Sequence, residues 1–398
     1  MSITSIAVLG AGVTGLTAAA KFTEMGYRVT LIERRKIGCD IGGGLDIHPN
    51  GTKILFSLGI EEKLKSICSG NNREIRIGDP EGRFLNCVPL NKVERNPKYP
   101  MLSLFRSDIL PILFDNVKDR CTYYEETECI RIDIKDDGVE LGFDKIPPIR
   151  VDLVIAADGV NSLARKVLFP PSKKRYLGHV ALGGKIPRDL YQYNYLHGVR
   201  RTCVVFPCTE ERAHTLIFCD KPEGWLKANA AFDIHRKAFE GWSREVDTIV
   251  SSIDPSSRFC VECFEVPPLE SYVFRRVFLA GDAAHGMSPL GALATSLALE
   301  DIQELADQCS DRTQTLEQIG KNYDSKRILR AKQFHDFSHQ FLIPPITEHT
   351  VPLYQARMER FRRSRPDQLF AALTQLTQEH IDVEEVSAPV GAVSEVKE

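Results

Sequence analysis

The 398 residues carry a formal charge of −3, with 43% apolar and 26% charged side chains. That balance excludes a collagen-like or chiefly disordered chain, and it offers no basic footprint for nucleic acid. The length suits two or three domains, with a core large enough to need no disulfides. Eleven scattered cysteines and the lack of a basic, apolar leader point to a reducing, cytoplasmic setting. The uncharged stretch 283–299 contains His285, Gly286, Pro289 and Gly291. It is too short and too broken to span a bilayer, so no membrane segment is expected.

Residues 3–9 form an apolar run ending at Gly10, the pattern of a buried parallel strand. Residues 14–25 read as a helix closed by Gly26, and 27–33 as a second strand, which completes a βαβ unit. Short strands are expected over 73–86, turning at Asp79-Pro80-Glu81-Gly82. A helix over 107–117 contains Pro111, which predicts a kink or a start nearer the proline. Residues 128–134 and 138–143 read as a hairpin across Asp136-Asp137-Gly138, and 151–156 as another buried strand. From 175 to 220 the chain is strand-rich, notably at 191–195, 202–206 and 215–218. Helices near 227–239 and 244–252 precede strands at 259–265 and 272–280. Helical spacing then runs over 291–311 and 313–341. The last twenty-one residues hold six acids against one Lys and are expected to be disordered.

Three segments carry chemistry. In Gly10-Ala11-Gly12-Val13-Thr14-Gly15, between strand and helix, Gly10 permits the tight turn and Gly12 a close backbone approach to a pyrophosphate. Gly15 allows close helix–strand packing, and the helix N-terminus faces the phosphates. Glu33, ending the next strand, suits the ribose hydroxyls of a dinucleotide. The strand into Gly281-Asp282 places a carboxylate where it can hold the ribityl hydroxyls of a flavin; standing alone, it also reads as a capped turn. Asp158-Gly159, with Ser162 and Arg165 near a helix start, again reads either as a site or as a simple capped turn.

In this order and spacing, these motifs resemble the class A flavoprotein monooxygenases, the aromatic-hydroxylase fold. The segment from Gly42 through Leu45 to Asn50 looks like that family's loop beside the isoalloxazine, and 104–110 looks like its Arg segment. Residues 176–186 and 264–281 resemble the branch with salicylate, hydroxynicotinate and urate hydroxylases. The resemblance covers 1 to about 340. It implies an α/β fold, with a Rossmann-type FAD/NAD(P)-binding domain over 1–72, 101–172 and 268–340. A mixed β-sheet substrate domain, 73–100 and 173–267, is inserted into it. C-terminal helices follow over 341–377, then the acidic tail, 378–398. It also implies that Gly12 and Gly15 serve the FAD pyrophosphate and Glu33 the adenosine ribose, with Arg34 beside it. Arg106 would reach the ribose or phosphates, and Cys129 would offer backbone near the adenine. Asp158 would serve both FAD and NAD(P)H, Arg165 would lie near the surface, and Asp282 would hold the ribityl chain. Pro289, Gly291, Ala292, Leu293 and Ala294 would border the flavin. Here the chain departs from the family's Pro-x-x-Gly-x-Gly-x-Asn. Ala292 and Ala294 add methyl groups that crowd the ring or limit its swing.

The implied reaction is hydroxylation of a small aromatic or polycyclic metabolite by NADPH or NADH and molecular oxygen, through a flavin C4a-hydroperoxide. A phenolic substrate gains from a nearby base or cation, for which His48 and Arg201 are candidates, each also readable as structural. Phe206 and Phe218, with Pro289, are candidates for an apolar substrate pocket, although sheet aromatics often serve as core. Leu216 stands where a urate pocket would place tyrosine. The alternatives are an FAD oxidoreductase or redox-neutral catalyst without oxygen insertion, or a non-enzymatic FAD-binding protein. No metal is expected. Cys260 and Cys263 have CxxC spacing, but they lie on a strand where they face opposite sides. Arg357, Arg360, Arg362, Arg363 and Arg365 read most simply as a solvated basic face, or as a contact for an acidic partner or the chain's own acidic tail. A monomer or homodimer is expected.

Overall fold

The computed structural model describes residues 3–36, 43–68, 74–90, 96–170, 172–190, 192–229, 237, 239–343, 346, 350–369 and 371–378. Gly42, residues 230–236 of the expected 227–239 helix, and tail residues 379–398 lie outside them. Among the described residues no helix is long and apolar enough to cross a membrane.

Two large sheets organise the chain. The first runs, edge to edge, Val273–Phe274, Val277–Leu279, Leu153–Ala156, Ser5–Leu9, Arg28–Ile32 and Thr122–Tyr124. All pairings are parallel except the outermost at Val273–Phe274. Ile6, Ala7, Val8, Val154 and Ile155 are fully buried, as strands covered on both faces require. From Ser5–Leu9 the chain moves to one side, through Arg28–Ile32, while Leu153–Ala156 lies on the other. The crevice at the carboxyl ends of these strands is therefore a topological switch point, the place where such sheets bind ligands.

The second sheet has seven strands, ordered Phe259–Glu265, Arg175–Pro187, Arg212–Asp220, Arg201–Pro207, Tyr195–Gly198, Glu74–Gly78 and Phe84–Pro89. One parallel pairing, Tyr195–Gly198 with Glu74–Gly78, makes it mixed. Period-two alternation divides its side chains between two clusters. Val180, Cys203, Val205 and Ile217 pack under the helix Arg244–Ser251. Ala181, Val204, Phe206 and Phe218 face the other way, against Leu290 and Ile343. Cys260 packs with the first cluster and Cys263 belongs to the second.

The helices that position the site are α1 (Val13–Glu24), α2 (Pro49–Phe56), α3 (Arg106–Val117), α4 (Asp282–His285), α5 (Leu293–Ser310), α6 (Leu316–Phe337) and α7 (Val351–Arg363). A π turn, Ser338–Leu342, continues α6. Some elements differ from expectation. Residues 272–280 are not one strand: Arg275 takes φ +54° and folds them into a two-stranded hairpin. Helix α3 begins at Arg106 and carries Pro111 inside it, close enough to the N-terminus that few backbone bonds are at stake. The helix expected from 291 starts at Leu293, after a 3-10 turn at Pro289–Gly291. Asn86 Nδ2 donates to the carbonyls of Phe361 and Ser364, docking the end of α7 on the seven-stranded sheet. Of the basic residues there, Arg362 and Arg363 pair with Glu359.

Candidate active site

The three motifs end adjacent parallel strands, so their turns meet at the switch point. Gly10 has φ +97°, and a Cβ on it would lie 2.4 Å from the Ala157 carbonyl oxygen. A Cβ on Gly15 would stand 1.8 Å from the Gly10 oxygen, so α1 packs on its strand only with glycine there. Gly281 has φ +62°, and its missing side chain leaves room for Thr14 Oγ1.

Above these turns runs a trench of two joined cavities. The first, of about 650 Å³, is walled by Gly10, Gly12, Glu33, Arg34, Cys129 and Asp158. The second, of about 270 Å³, is walled by Leu45, Asp46, His214, Leu216, Asp282 and Pro289, with Ala292 and Ala294. Gly12, Arg106, Ala157 and Gly159 line both, so Arg106 sits at the narrows. A Cβ on Gly12 would be 3.7 Å from its Nη2. Glu33 Oε2 accepts from Ala11 N–H at 2.8 Å and Oε1 from Arg35 N–H at 2.9 Å, which fixes the carboxylate at the edge of the first cavity.

A dinucleotide fits this trench. Neither α1 nor α5 has a side-chain cap, whereas α6 carries a full capping box from Thr315 and Gln318. Uncapped N–H groups at two cavity walls are anion sites. Asp158 Oδ2 accepts from Leu163 N–H at 2.8 Å, but the buried Oδ1 has no partner among the described residues. Burial also raises its pKa, against the pull of hydrogen bonds from Ser162 and Leu163. A buried acceptor left open beside a cavity is what a bound ligand satisfies.

Arg165 is not at the surface: it is 1% exposed. Its guanidinium donates to the carbonyls of Ala283, at 2.8 Å, and Val160. The arginine of the second motif thus clamps the turn of the third, from behind the cavity. Desolvation lowers its pKa, opposed by Asp158 and Asp282. From the other side Asp301, fully buried on α5, accepts Gly281 N–H at 2.8 Å and His285 Nε2–H at 2.6 Å.

Several expected site residues stand elsewhere. His48 is buried, lines neither cavity and donates through Nε2 to the Gly291 carbonyl at 3.2 Å. Burial lowers its pKa, opposed by the hydrogen bond to Gly291 and by Asp46. Arg201 has the parity of Cys203 and Val205; its guanidinium lies over Trp242, 5.9 Å from the ring centroid, on the sheet face turned from the trench. Phe206 and Phe218 share the parity of His214 but are core side chains behind the wall. Leu293 is also core. Gly291 packs so tightly on Leu342 that a Cβ would come within 2.2 Å of it.

Ala292 is held at φ 52°, ψ 27°, a left-handed conformation costing an L-residue about 1–2 kcal/mol. Ala292→Gly is therefore expected to stabilise the protein by up to about 1 kcal/mol, read as a higher urea midpoint. An unchanged or lower midpoint would contradict this.

Sequence reading missed one pair in the second cavity. His214 Nε2 lies 3.1 Å from Asp46 Oδ2, and Ser103 Oγ donates to Asp46 Oδ1 at 2.5 Å. Both members are buried, at 2% and 4% side-chain exposure. The imidazole stacks on Phe206 and presses on Gly44, where a Cβ would fall 2.0 Å from the ring. His214 Nδ1 has no partner among the described residues. The only sequence signal is a histidine sharing parity with Leu216 and Phe218.

The FAD binding domain family matches residues 3–338. Among curated relatives, the 3-amino-4-hydroxybenzoate 2-monooxygenase of Streptomyces cremeus is 28% identical, over 83% of this chain and 84% of that protein. The 6-hydroxynicotinate 3-monooxygenase of Bordetella bronchiseptica is 27% identical, over 84% and 90%. Klebsiella pneumoniae HpxO complexed with FAD and uric acid superposes with a TM-score of 0.84 at 21% identity, covering 94% of this chain and 96% of that one. The chain belongs to the FAD binding domain family, that of the class A flavoprotein monooxygenases.

Proposed function

We propose that the protein is an FAD-dependent, NAD(P)H-consuming monooxygenase that hydroxylates a small aromatic substrate, with His214 as general base toward a ring hydroxyl. The observation that carries this is the buried Asp46–His214 pair in the wall of the second cavity. FAD, when bound, supplies the redox chemistry, taking hydride from NADH or NADPH and activating molecular oxygen. Gly12, Arg106 and the α1 N-terminus hold its pyrophosphate, Glu33 its adenosine ribose, and Asp282 its ribityl chain.

Asp46 accepts the Nε2 proton of His214, which leaves the lone pair on Nδ1, a buried atom that substrate binding must uncover before it takes the substrate proton. The ring hydroxyl becomes more electron-donating as it loses that proton, which favours attack on the neighbouring ring carbon. Ser103 keeps Asp46 from rotating away, and Leu45, Leu216 and Pro289 supply the apolar part of the cavity wall.

The test is an absorption spectrum of the purified protein before and after anaerobic NADPH, followed by a panel of phenols and hydroxylated heteroaromatics. Bound flavin that bleaches, with a product one oxygen heavier, is the expected result. NAD(P)H consumption yielding only peroxide across the panel would overturn the oxygenation. Flavin that stays oxidised would instead favour a redox-neutral enzyme, with the Ala292 and Ala294 methyls in the cavity wall as the cause.

A further inference from the structure

We propose that Glu265, His335 and His339 form a zinc(II) site that fastens the end of α6 to the outer strand of the seven-stranded sheet. The site is separate from the trench and independent of the reaction assigned to it. Among the described residues, these are the three side chains whose ligand atoms cluster as a metal requires, all within 4.8 Å of one another.

Each donor is prepared. His335 Nε2 lies 3.3 Å from the His285 carbonyl. That nitrogen therefore carries the proton, and the Nδ1 lone pair faces Glu265. His339, four residues on and on the same helical face, brings Nε2 to 2.8 Å from Glu265 Oε2; His335 Nδ1 is 3.5 Å from the same oxygen. In a tetrahedral zinc site with bonds of about 2.0–2.1 Å, neighbouring donors stand roughly 3.3 Å apart, and the two observed separations bracket that value. The helix widens into a π turn at Ser338, a distortion often found at functional positions. His339 is 39% exposed, which gives an ion a way in and leaves a position for water. Two imidazoles and one carboxylate suit zinc; calcium and magnesium demand oxygen ligands.

Arg175 competes with the ion for these donors. Its Nε donates to Glu265 Oε1 at 2.6 Å and its Nη2 lies 3.3 Å from His339 Nε2. The Arg175 side chain is 59% exposed, so it can withdraw into solvent as zinc enters, one cation exchanging for another. Removing its charge therefore tightens metal binding, the opposite of what a plain ion-pair cluster predicts. Because His285 closes α4 three residues after Asp282, the ion would also brace the turn that carries Asp282.

The test uses the full-length, FAD-loaded protein without an affinity tag, stripped with EDTA and titrated with Co²⁺ as a spectroscopic stand-in for Zn²⁺. One equivalent of Co²⁺ is expected to develop ligand-field absorption to the red of the flavin bands, erased by one equivalent of Zn²⁺. Zn²⁺ alone is expected to raise Tm. His339→Gln, at a half-exposed position that tolerates change, should weaken binding at least about tenfold, and Arg175→Gln should strengthen it about tenfold. Absence of the band and of the Tm shift would overturn the proposal. So would a band undiminished in His339→Gln, or binding unchanged in Arg175→Gln.

Discussion

His214→Asn is expected to lower kcat on a phenolic substrate about 10²- to 10⁴-fold, the range that general-base removal spans, with the bound-flavin spectrum and reduction by NAD(P)H unchanged. The expectation rests on the tautomer. Asp46 accepts the Nε2 proton, Ser103 holds the carboxylate in place, and Nδ1, buried and without a partner among the described residues, is left as the unprotonated nitrogen. Asp46→Asn should cost nearly as much: its amide can present N–H toward Nε2, which favours the wrong tautomer. A merely structural role would lower thermal stability without a pH signature. A base role makes the deficit shrink as pH approaches the substrate's own phenol pKa, near 10 for an unactivated ring. A pH-independent deficit in both variants, or a kcat within about twofold of wild type, would remove His214 from the chemistry.

Asp301→Ala is expected to destabilise the protein by about 3–5 kcal/mol, because it leaves buried positive charge uncompensated. Arg327 Nε donates to Asp301 Oδ1 at 2.7 Å, and Arg327 is itself only 5% exposed. Burial pushes the Asp301 pKa up, but His285 and Arg327 more than offset it and hold the carboxyl below its usual range. The same carboxylate anchors Gly281 N–H, so its loss also frees the turn carrying Asp282, and weaker flavin retention on desalting should accompany the lower urea midpoint. Asp301→Asn keeps an acceptor for Gly281, and Arg327 retains Glu300 at 3.1 Å, so that variant should fall between. An Asp301→Ala midpoint within about 1 kcal/mol of wild type would show that the network relaxes freely.

What the sequence determined by itself was local. Gly10–Gly15, Asp158-Gly159 and Gly281-Asp282 are each read within ten residues, because strand, turn and helix-start signals need only near neighbours. From them follow the βαβ start, the parallel sheet and the trench at its switch point. Side-chain direction on the second sheet was decided by tertiary structure. A one-residue change of register reverses every side chain on a strand, which is why Arg201 could be read either as a site candidate or as structural, and it lies over Trp242. The same pairing brings His214 to Asp46, 168 positions away. Arg165, placed near the surface by the resemblance, is buried because three carbonyls from two turns converge on it. His335 and His339 met Glu265 only once α6 was laid against the strand ending there. Local propensity placed the turns; long-range packing chose which polar groups face one another across the space between them.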